Sequence, residues 1–240
     1  MIRKRFLIHK SGCAVCGEPL TYSTTFKKLN CYYCEDEIET DVYCSEGHFV
    51  CDACHRVDAN DLIVKECLAY QGINPLAFVN KVMENKLFNI HGPEHHFIVP
   101  AALLTAYNNA TGKIKDLKSA LQVLRTRMVK IPGGICATNG GCGAVLGLGA
   151  FVSYITKTTS LSQKPLAKLH ALTAAGLMQV SKYGGPRCCK RATYISILEG
   201  ITYLSEEMDI ELNKPESIVC GFHIRNKDCL GPDCLFYKSR

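Results

Sequence analysis

The sequence predicts a mainly α-helical protein: a small zinc-ribbon or treble-clef-like module at residues 1–67, followed by an all-α helical bundle domain at residues 68–240. Two observations predict this division. Eight of the 15 cysteines lie within the first 67 residues, at the spacing of metal ligands. Beyond them, apolar residues recur at helical spacing, and strand-like alternation of apolar and polar residues is nearly absent.

Composition and charge limit the classes of function. The net charge of +6 at pH 7 is modest and the basic residues are scattered, so nucleic-acid binding is not indicated. No apolar run reaches the roughly 18 residues that span a bilayer, so we expect no membrane contact. The apolar stretch of the basic N-terminus is three residues long, too short for a secretory signal. We therefore expect a cytoplasmic protein whose cysteines bind metal rather than form disulfides.

The first two cysteine pairs have the spacing of zinc ligands. Fourteen residues separate Cys13 and Cys16 from Cys31 and Cys34. Two tight turns joined by a hairpin can therefore converge on one tetrahedral zinc ion. A strand-like segment from Leu20 to Phe26 lies between the pairs, as in a zinc ribbon.

A second ligand set follows the ribbon. We prefer the combination of Cys44, His48, Cys51 and Cys54, with His55 and Cys67 as alternatives. The spacing leaves open whether the two sites are sequential or interleaved as a cross-brace. Closed four-ligand sites offer no position for chemistry, so the zinc ions are expected to hold together a module too small to fold on an apolar core. The alternative is a module that also docks a protein partner or nucleic acid.

Glycine-rich segments interrupt the helical pattern of the second domain. Helical periodicity from Leu76 onward predicts at least six helices, and Gly-rich breaks at residues 133–134 and 184–186 divide them. Pro100 is expected in the opening turn of a helix, because proline has no N–H to donate within one.

Both Gly-rich breaks carry cysteine. Cys136 and Cys142 precede a helix of small residues, and Cys188 and Cys189 begin another helix. The free amides and the dipole of a helix N-terminus stabilise a thiolate, and small residues let helices approach closely. We therefore expect these four cysteines to meet in one iron–sulfur or substrate pocket.

This order of segments resembles a known enzyme domain. A proline-bearing apolar helix, a Cys-Gly-Ala loop and a Gly-Gly-Pro-Arg-Cys-Cys-Lys-Arg turn, over about residues 91–200, are similar to the catalytic domain of iron–sulfur L-serine dehydratases. The resemblance implies a 4Fe-4S cluster held by three loop cysteines, with a C-terminal cysteine able to occupy the open iron. The family's middle cysteine would fall near Gln179, so Cys142 or Cys189 must replace it. The whole chain also resembles a cysteine-rich family of anaerobes that joins a zinc module to a helical domain, which implies no activity by itself.

Candidate catalytic residues flank these loops. Three imidazoles and a carboxylate within six residues supply groups that titrate near neutrality: His91, Glu94, His95 and His96. We expect them to face the same cavity as the Cys188 loop. The alternatives are a polar turn that caps the following helix, and a further metal site. Arg187, Lys190 and Arg191 could hold a substrate carboxylate, since arginine is suited to bidentate pairing. The alternative is a solvated charge at the helix start, which suits Lys190 better than Arg187.

The C-terminal tail holds a third cysteine cluster, Cys220, Cys229 and Cys234, without regular spacing. We expect the tail to fold back and donate Cys229 or Cys234 to the cluster, although a metal site of its own is possible. The leading hypothesis is an oxygen-sensitive iron–sulfur lyase, dehydratase or desulfidase-like, with zinc as a second metal and a small hydroxy or thiol amino acid as substrate. The rival is a non-catalytic zinc-binding adaptor or redox-sensing protein that docks a partner or nucleic acid.

Overall fold

The computed structural model describes residues 13, 15–16, 18–51, 59–85 and 87–237. The predicted fold class is confirmed: these residues contain a two-stranded sheet near the N-terminus and then eight α-helices. The strands are β1 (Leu20–Asn30) and β2 (Glu37–Cys44). The helices are α1 (Ala59–Ala69), α2 (Pro75–Glu84), α3 (Glu94–Thr111), α4 (Leu117–Met128), α5 (Ile135–Thr138), α6 (Gly143–Ile155), α7 (Lys164–Ser181) and α8 (Cys189–Met208).

The N-terminal module is an antiparallel hairpin. Leu20, the first residue of β1, is paired with Cys44, the last residue of β2, and Asn30 is paired with Glu37. The predicted strand from Leu20 is therefore confirmed and extends to Asn30. The buried apolar cluster of this module is small and consists mainly of cysteine side chains.

Helix α3 forms the centre of the helical domain. It packs against α1, α2, α4, α6 and α8, and its residues from Glu94 to Tyr107 are all buried. The helix begins six residues before Pro100, so the prediction that Pro100 lies in the opening turn is wrong.

Pro100 instead explains a close contact between α3 and α6. Because proline has no N–H, the carbonyl of His96 receives no hydrogen bond from the residue four positions on. Helix α6 approaches at this point through Gly147, where an added Cβ would lie 2.4 Å from the His96 carbonyl oxygen. The missing side chain of Gly147 thus allows α6 to lie against the backbone of α3.

Helix α1 crosses the predicted domain boundary at residue 67. Leu62, Ile63 and Cys67 are buried in the same apolar core as α3. Burial raises the pKa of Cys67 to about 12. Cys67 therefore lies in the core of the helical domain and belongs to neither candidate metal group of the described residues.

The C-terminal tail folds back onto the helical domain, as we expected from the sequence. Phe222 and Phe236 are buried in the helical core, and the N–H of Cys220 donates to the carbonyl of Phe236 at 2.7 Å. Short 3-10 turns at His223–Arg225 and Gly231–Asp233 shape the intervening chain. In the described part of the chain, no helix is both long and apolar enough to cross a membrane.

Candidate metal centres and active-site cavity

The first candidate metal centre joins the start and the end of the hairpin. The ligand atoms of four residues lie within 4.8 Å of one another: Cys13, Cys16, Cys44 and His48. His48 Nδ1 is buried and has no hydrogen-bond partner, as a nitrogen placed to bind a metal should be. Three thiols and one imidazole fit a tetrahedral zinc ion.

The second candidate metal centre lies at the hairpin turn. The sulfur atoms of Cys31, Cys34 and Cys51 lie within 4.8 Å of one another, and those of Cys34 and Cys51 are 3.8 Å apart. Zinc–sulfur bonds of about 2.3 Å in a tetrahedron place sulfur atoms roughly 3.8 Å apart. The predicted fourth ligand, Cys54, and the alternative His55 lie outside the described residues.

The two ligand sets are interleaved, which corrects the predicted single site of Cys13, Cys16, Cys31 and Cys34. Strand β1 lies between these two pairs and has 11 residues. At about 3.3 Å per residue, an extended strand separates the pairs along the hairpin. Strand β2 then returns and brings Cys44 back beside the first pair. The cross-brace arrangement, which the spacing left open, is therefore the one that the hairpin imposes.

Hydrogen bonds prepare one sulfur in each centre to bind metal. Burial alone would raise the pKa of Cys31, but backbone N–H groups, among them that of Cys51 at 3.3 Å, lower it to about 6. Burial also opposes ionisation of Cys44, yet the N–H of Glu46 at 3.3 Å and the His48 side chain lower its pKa to about 7. Because metal binds the thiolate, these sulfurs lose their protons readily at neutral pH.

A cavity of about 1280 Å³ lies in the helical domain, where the loops before α3, α6 and α8 meet. His91, His95 and His96 line one part of it. The two cysteine loops line the rest, through Cys136, Cys142, Cys188 and Cys189, together with the exposed Arg187. The two cysteine loops and the histidine segment therefore line the same cavity.

Each of the three histidines keeps one buried ring nitrogen without a hydrogen-bond partner. His95 Nδ1 donates to the carbonyl of Gly92 at 3.0 Å, which leaves the lone pair of Nε2 unused. His91 Nε2 donates to Asn226 Oδ1 at 3.1 Å and leaves Nδ1 unused. In His96 the unpartnered atom is Nδ1. Such nitrogens can accept a proton or a ligand.

Burial keeps these imidazoles neutral. It lowers the pKa of His91 and of His96. The pKa of His95 lies well below its ordinary value, because the ring is buried and Lys190 is nearby. A neutral imidazole keeps the free lone pair that a general base requires.

Glu94 does not line the cavity, so the prediction that it faces the cavity with the histidines is wrong. Its carboxylate is buried and accepts a hydrogen bond from the N–H of Asn89 at 3.1 Å. Glu94 lies in the first turn of α3, where the helix dipole favours negative charge. The residue therefore stabilises the helix start, which was the alternative interpretation.

The cavity cysteines begin helices but are not stabilised as thiolates. Cys142 and Cys188 occupy the N-cap positions of α6 and α8. Burial nevertheless raises the pKa of both, and it raises that of Cys189 to about 11, against the opposing effect of backbone N–H groups. The expected thiolate is wrong for these side chains because burial outweighs the helix terminus.

A second, smaller pocket shares Cys188 and Arg191 with the cavity. The tail supplies Cys229 and Cys234, as expected, and also Cys220, which was not among the predicted cofactor ligands. The sequence contained one sign of it, because a glycine follows Cys220 as it follows Cys16.

Lys190 also lines the small pocket, with 1% of its surface exposed. The alternative interpretation of this residue, a solvated charge at the helix start, is therefore wrong. Burial lowers its pKa to about 7, and the Glu94 carboxylate acts in the opposite direction. The sequence did not reveal this burial, because a lysine at a helix start is usually solvated.

Comparison with known proteins gives one match. A family model covers residues 63–237, well over half of the chain. The chain belongs to DUF5714, a family of unknown function. The DUF5714 segment contains every residue that lines the cavity and the small pocket, and it excludes the N-terminal metal module. No match was found among curated proteins or among solved structures.

Proposed function

We propose that the protein is a metal-dependent lyase that acts on a small hydroxy or thiol amino acid. In this proposal two zinc ions stabilise the N-terminal module. The helical domain binds an iron–sulfur cluster, of the 4Fe-4S type that the resemblance to serine dehydratases implies. The substrate binds in the cavity beside the three histidines.

One observation supports this proposal above the others: a single cavity collects the titratable and sulfur-bearing side chains of three loops. Its volume of about 1280 Å³ is larger than the roughly 300–1000 Å³ of ordinary small-molecule sites. An amino acid and part of a cofactor therefore fit together.

Electrostatics favour an anionic substrate. No aspartate or glutamate is present among the described residues that line the cavity, whereas Arg187 and Arg191 both line it. Arg187 is exposed, so its guanidinium is accessible for bidentate pairing with a substrate carboxylate. Arg191 is buried and its Nη2 donates to the carbonyl of Pro186 at 3.4 Å, which helps to fix the loop.

The histidines supply proton transfer. In the proposed elimination, a base removes the proton from Cα while the bond from Cβ to oxygen or sulfur breaks; the unsaturated amine that remains hydrolyses to a keto acid and ammonia. His95 fits the base in geometry, since Gly92 fixes its ring and the Nε2 lone pair is free, although its lowered pKa makes it a weaker base than an exposed imidazole. When bound, the cluster supplies a Lewis acid for the leaving hydroxyl or thiol. The resemblance implies that a tail cysteine would be able to occupy the open iron of such a cluster.

The test uses full-length protein, purified and reconstituted without oxygen. Serine, threonine and cysteine are offered, and ammonia, keto acid and sulfide are measured. We expect turnover of at least one of them, and a loss of about 100-fold or more in His95→Gln with iron content unchanged. The matched control is His170→Ala, because His170 is exposed and lies outside the cavity lining. Turnover unaffected by His95→Gln, His91→Gln and His96→Gln would remove these residues from the mechanism.

A second candidate function is a zinc-bearing adaptor. Phe26 on β1 is 65% exposed and is followed by the exposed Lys27 and Lys28. An outward apolar side chain on a metal-held hairpin is suited to contact with a protein partner. A colourless protein that contains only zinc and converts none of the three amino acids would favour this function over the lyase.

A further inference from the structure

The C-terminal tail and the start of α8 bring four cysteines around the small pocket: Cys188, Cys220, Cys229 and Cys234. We propose that these four residues, rather than the loop cysteines Cys136 and Cys142, are the ligands of the iron–sulfur cluster. The inference rests on the proposed presence of a cluster in the helical domain, and it assigns the cluster to a definite site.

The tail cysteines have the local geometry of metal-binding turns. The N–H of Phe222 lies 3.4 Å from Cys220 Sγ, and the N–H of Gly231 lies 3.4 Å from Cys229 Sγ. In both cases the donor is two residues after the cysteine. The same bond occurs in the N-terminal metal centres, where the donors to Cys13 and Cys44 are Val15 and Glu46, at 3.4 and 3.3 Å. Backbone N–H groups in this position stabilise the negative charge of a thiolate that is bound to a metal.

A hydrogen bond from Asn226 links Cys188 to the tail. The sulfur of Cys188 lies 3.5 Å from the N–H of Arg191 and 3.7 Å from Asn226 Nδ2. Asn226 is buried and also accepts the hydrogen bond from His91. The fourth cysteine is therefore held by the tail that carries the other three. A cluster at this site would meet the cavity at Cys188, which lines both spaces.

The spacing of these sulfurs differs from the spacing in the N-terminal centres. Within the described residues, the N-terminal centres are the only groups of three or more ligand atoms that lie within 4.8 Å of one another. A single zinc ion requires thiolates roughly 3.8 Å apart. No three of the four pocket sulfurs meet this close spacing, and four thiolates around one pocket suit a cluster, whose irons and sulfides lie between them.

Charge at the pocket fits an anionic group. The residues that line it in the described part of the chain include Lys190 and Arg191 but no aspartate or glutamate. Lys190 is 1% exposed, and its Nζ has no hydrogen-bond partner. That nitrogen lies 4.5 Å from the ring centre of Phe88 and 4.7 Å from that of Phe222. A buried amine without an acceptor is costly, and a cluster with four thiolates would supply the missing negative charge.

The test is anaerobic reconstitution of the full-length protein with ferrous iron and sulfide. The tail variant is Cys220→Ala with Cys229→Ala, and its matched control is Cys136→Ala with Cys142→Ala. We expect about four iron and four sulfide per chain in the wild type and in the control, with absorbance near 400 nm. The tail variant should lose most of its iron and sulfide.

Three results would overturn the assignment in distinguishable ways. Iron lost from the control but kept by the tail variant would move the cluster to the cavity and leave the lyase proposal standing. A wild-type protein without iron or sulfide would remove the cluster from both proposals. A third zinc ion that only the tail variant loses would show a zinc site in place of the cluster.

A measurement on the wild type covers the case in which the tail variant fails to fold. Iodoacetamide is added to reconstituted protein before and after iron is chelated, and alkylated cysteines are located by mass spectrometry. Cys220, Cys229 and Cys234 should react only after iron is removed, whereas the exposed Cys136 should react equally in both states. Equal reaction of the tail cysteines in both states contradicts the assignment.

Discussion

The N-terminal module and the helical domain bury different kinds of side chain. In the described part of the module, the buried apolar cluster consists of Cys13, Val15, Cys31, Cys44, Val50 and Cys51. The helical domain buries a continuous core that includes Phe78, Phe97 and Phe151. We therefore expect the module to need bound metal for stability, whereas the helical domain is held by packing.

The largest expected effect follows directly from this contrast. Removing zinc with a chelator should unfold the module and leave the helices intact, because structural zinc contributes roughly 10–16 kcal/mol to small domains of this kind. Hydrogen exchange measured by mass spectrometry should show protection lost in residues 20–51 and kept in residues 94–111. Loss of protection in both segments would contradict the contrast.

Paired substitutions test the interleaved ligands. Cys13→Ser with Cys44→Ser removes two ligands from one centre, so about one of the two zinc ions should be lost. Cys13→Ser with Cys31→Ser damages both centres and should release both ions. The zinc content per chain distinguishes the interleaved arrangement from the sequential one. If the first variant releases both ions and the second only one, the ligands are sequential, as in a zinc ribbon. Equal losses in the two variants would contradict two separately ligated centres.

The helical domain should instead be sensitive to packing. In Gly147→Ala, the new Cβ would lie 2.4 Å from the His96 carbonyl oxygen, which is backbone and cannot move aside. We expect the free energy of unfolding to fall by about 1–3 kcal/mol, with zinc content unchanged. Denaturant titration followed by circular dichroism measures the change.

Gly149→Ala is the matched control on the same helix. Its new Cβ would lie 2.8 Å from Thr173 Cγ2, a side-chain methyl on α7 and not a backbone atom. The β-branched threonine is stiff, so α7 must shift slightly, and the gain in helix propensity of about 1 kcal/mol offsets part of this cost. If Gly149→Ala destabilises the domain as much as Gly147→Ala, the special role of the carbonyl contact is wrong.

Acid should destabilise the helical domain through His95. Its pKa is depressed in the folded state by burial, with the charges of Lys190, His91 and His96 acting in the same direction. The unfolded chain takes up a proton as the pH falls through about 6.5, and the folded chain does not. Stability is therefore full above pH 7 and falls at lower pH, by at most about 1.4 kcal/mol per pH unit for this group.

The pH dependence of stability can be compared directly between the wild type and His95→Gln. Denaturant titrations of the wild type and His95→Gln at pH 7 and pH 5.5 should show a smaller decline in the variant, by about 1 kcal/mol. The carbonyl of Gly92 and the Glu94 carboxylate, whose Oε1 is 3.9 Å from His95 Nδ1, favour the protonated ring and limit the effect. Identical declines in the two proteins would contradict a neutral, buried His95.

The smallest expected effect concerns the charge beside the small pocket. Lys190→Met keeps the apolar stem between Phe88 and Phe222 but removes the amine. A cluster becomes more negative when it is reduced, so loss of a nearby positive charge should make its reduction potential more negative. A redox titration followed by electron paramagnetic resonance measures the shift, with the exposed Lys182→Met as control. A potential unchanged by Lys190→Met would place the cluster elsewhere.

The sequence predicted well what local chemistry determines. Ligand spacing identified the candidate metal ligands of the module, and Gly-rich breaks marked the cysteine loops that line the cavity. Long-range geometry was less accessible. The interleaving of the candidate ligands depends on the length of β1 and the return of β2, which spacing alone does not determine.

The burial of individual residues was the second feature that the sequence-based predictions did not capture. The motif around Lys190 was recognised, but its burial depends on Phe88 and on a tail residue, Phe222, which are far away in the sequence. Pro100 was expected to begin a helix, whereas tertiary packing against Gly147 accommodates it in the interior. Both errors come from contacts between segments rather than from local preference.

The most direct test of the account is metal analysis of two variants prepared side by side without oxygen. Cys13→Ser with Cys44→Ser should lose zinc and keep about four iron per chain. Cys220→Ala with Cys229→Ala should lose iron and keep about two zinc. Iron lost from the first variant, or iron fully kept by the second, would contradict a zinc module joined to a helical domain whose tail holds the cluster.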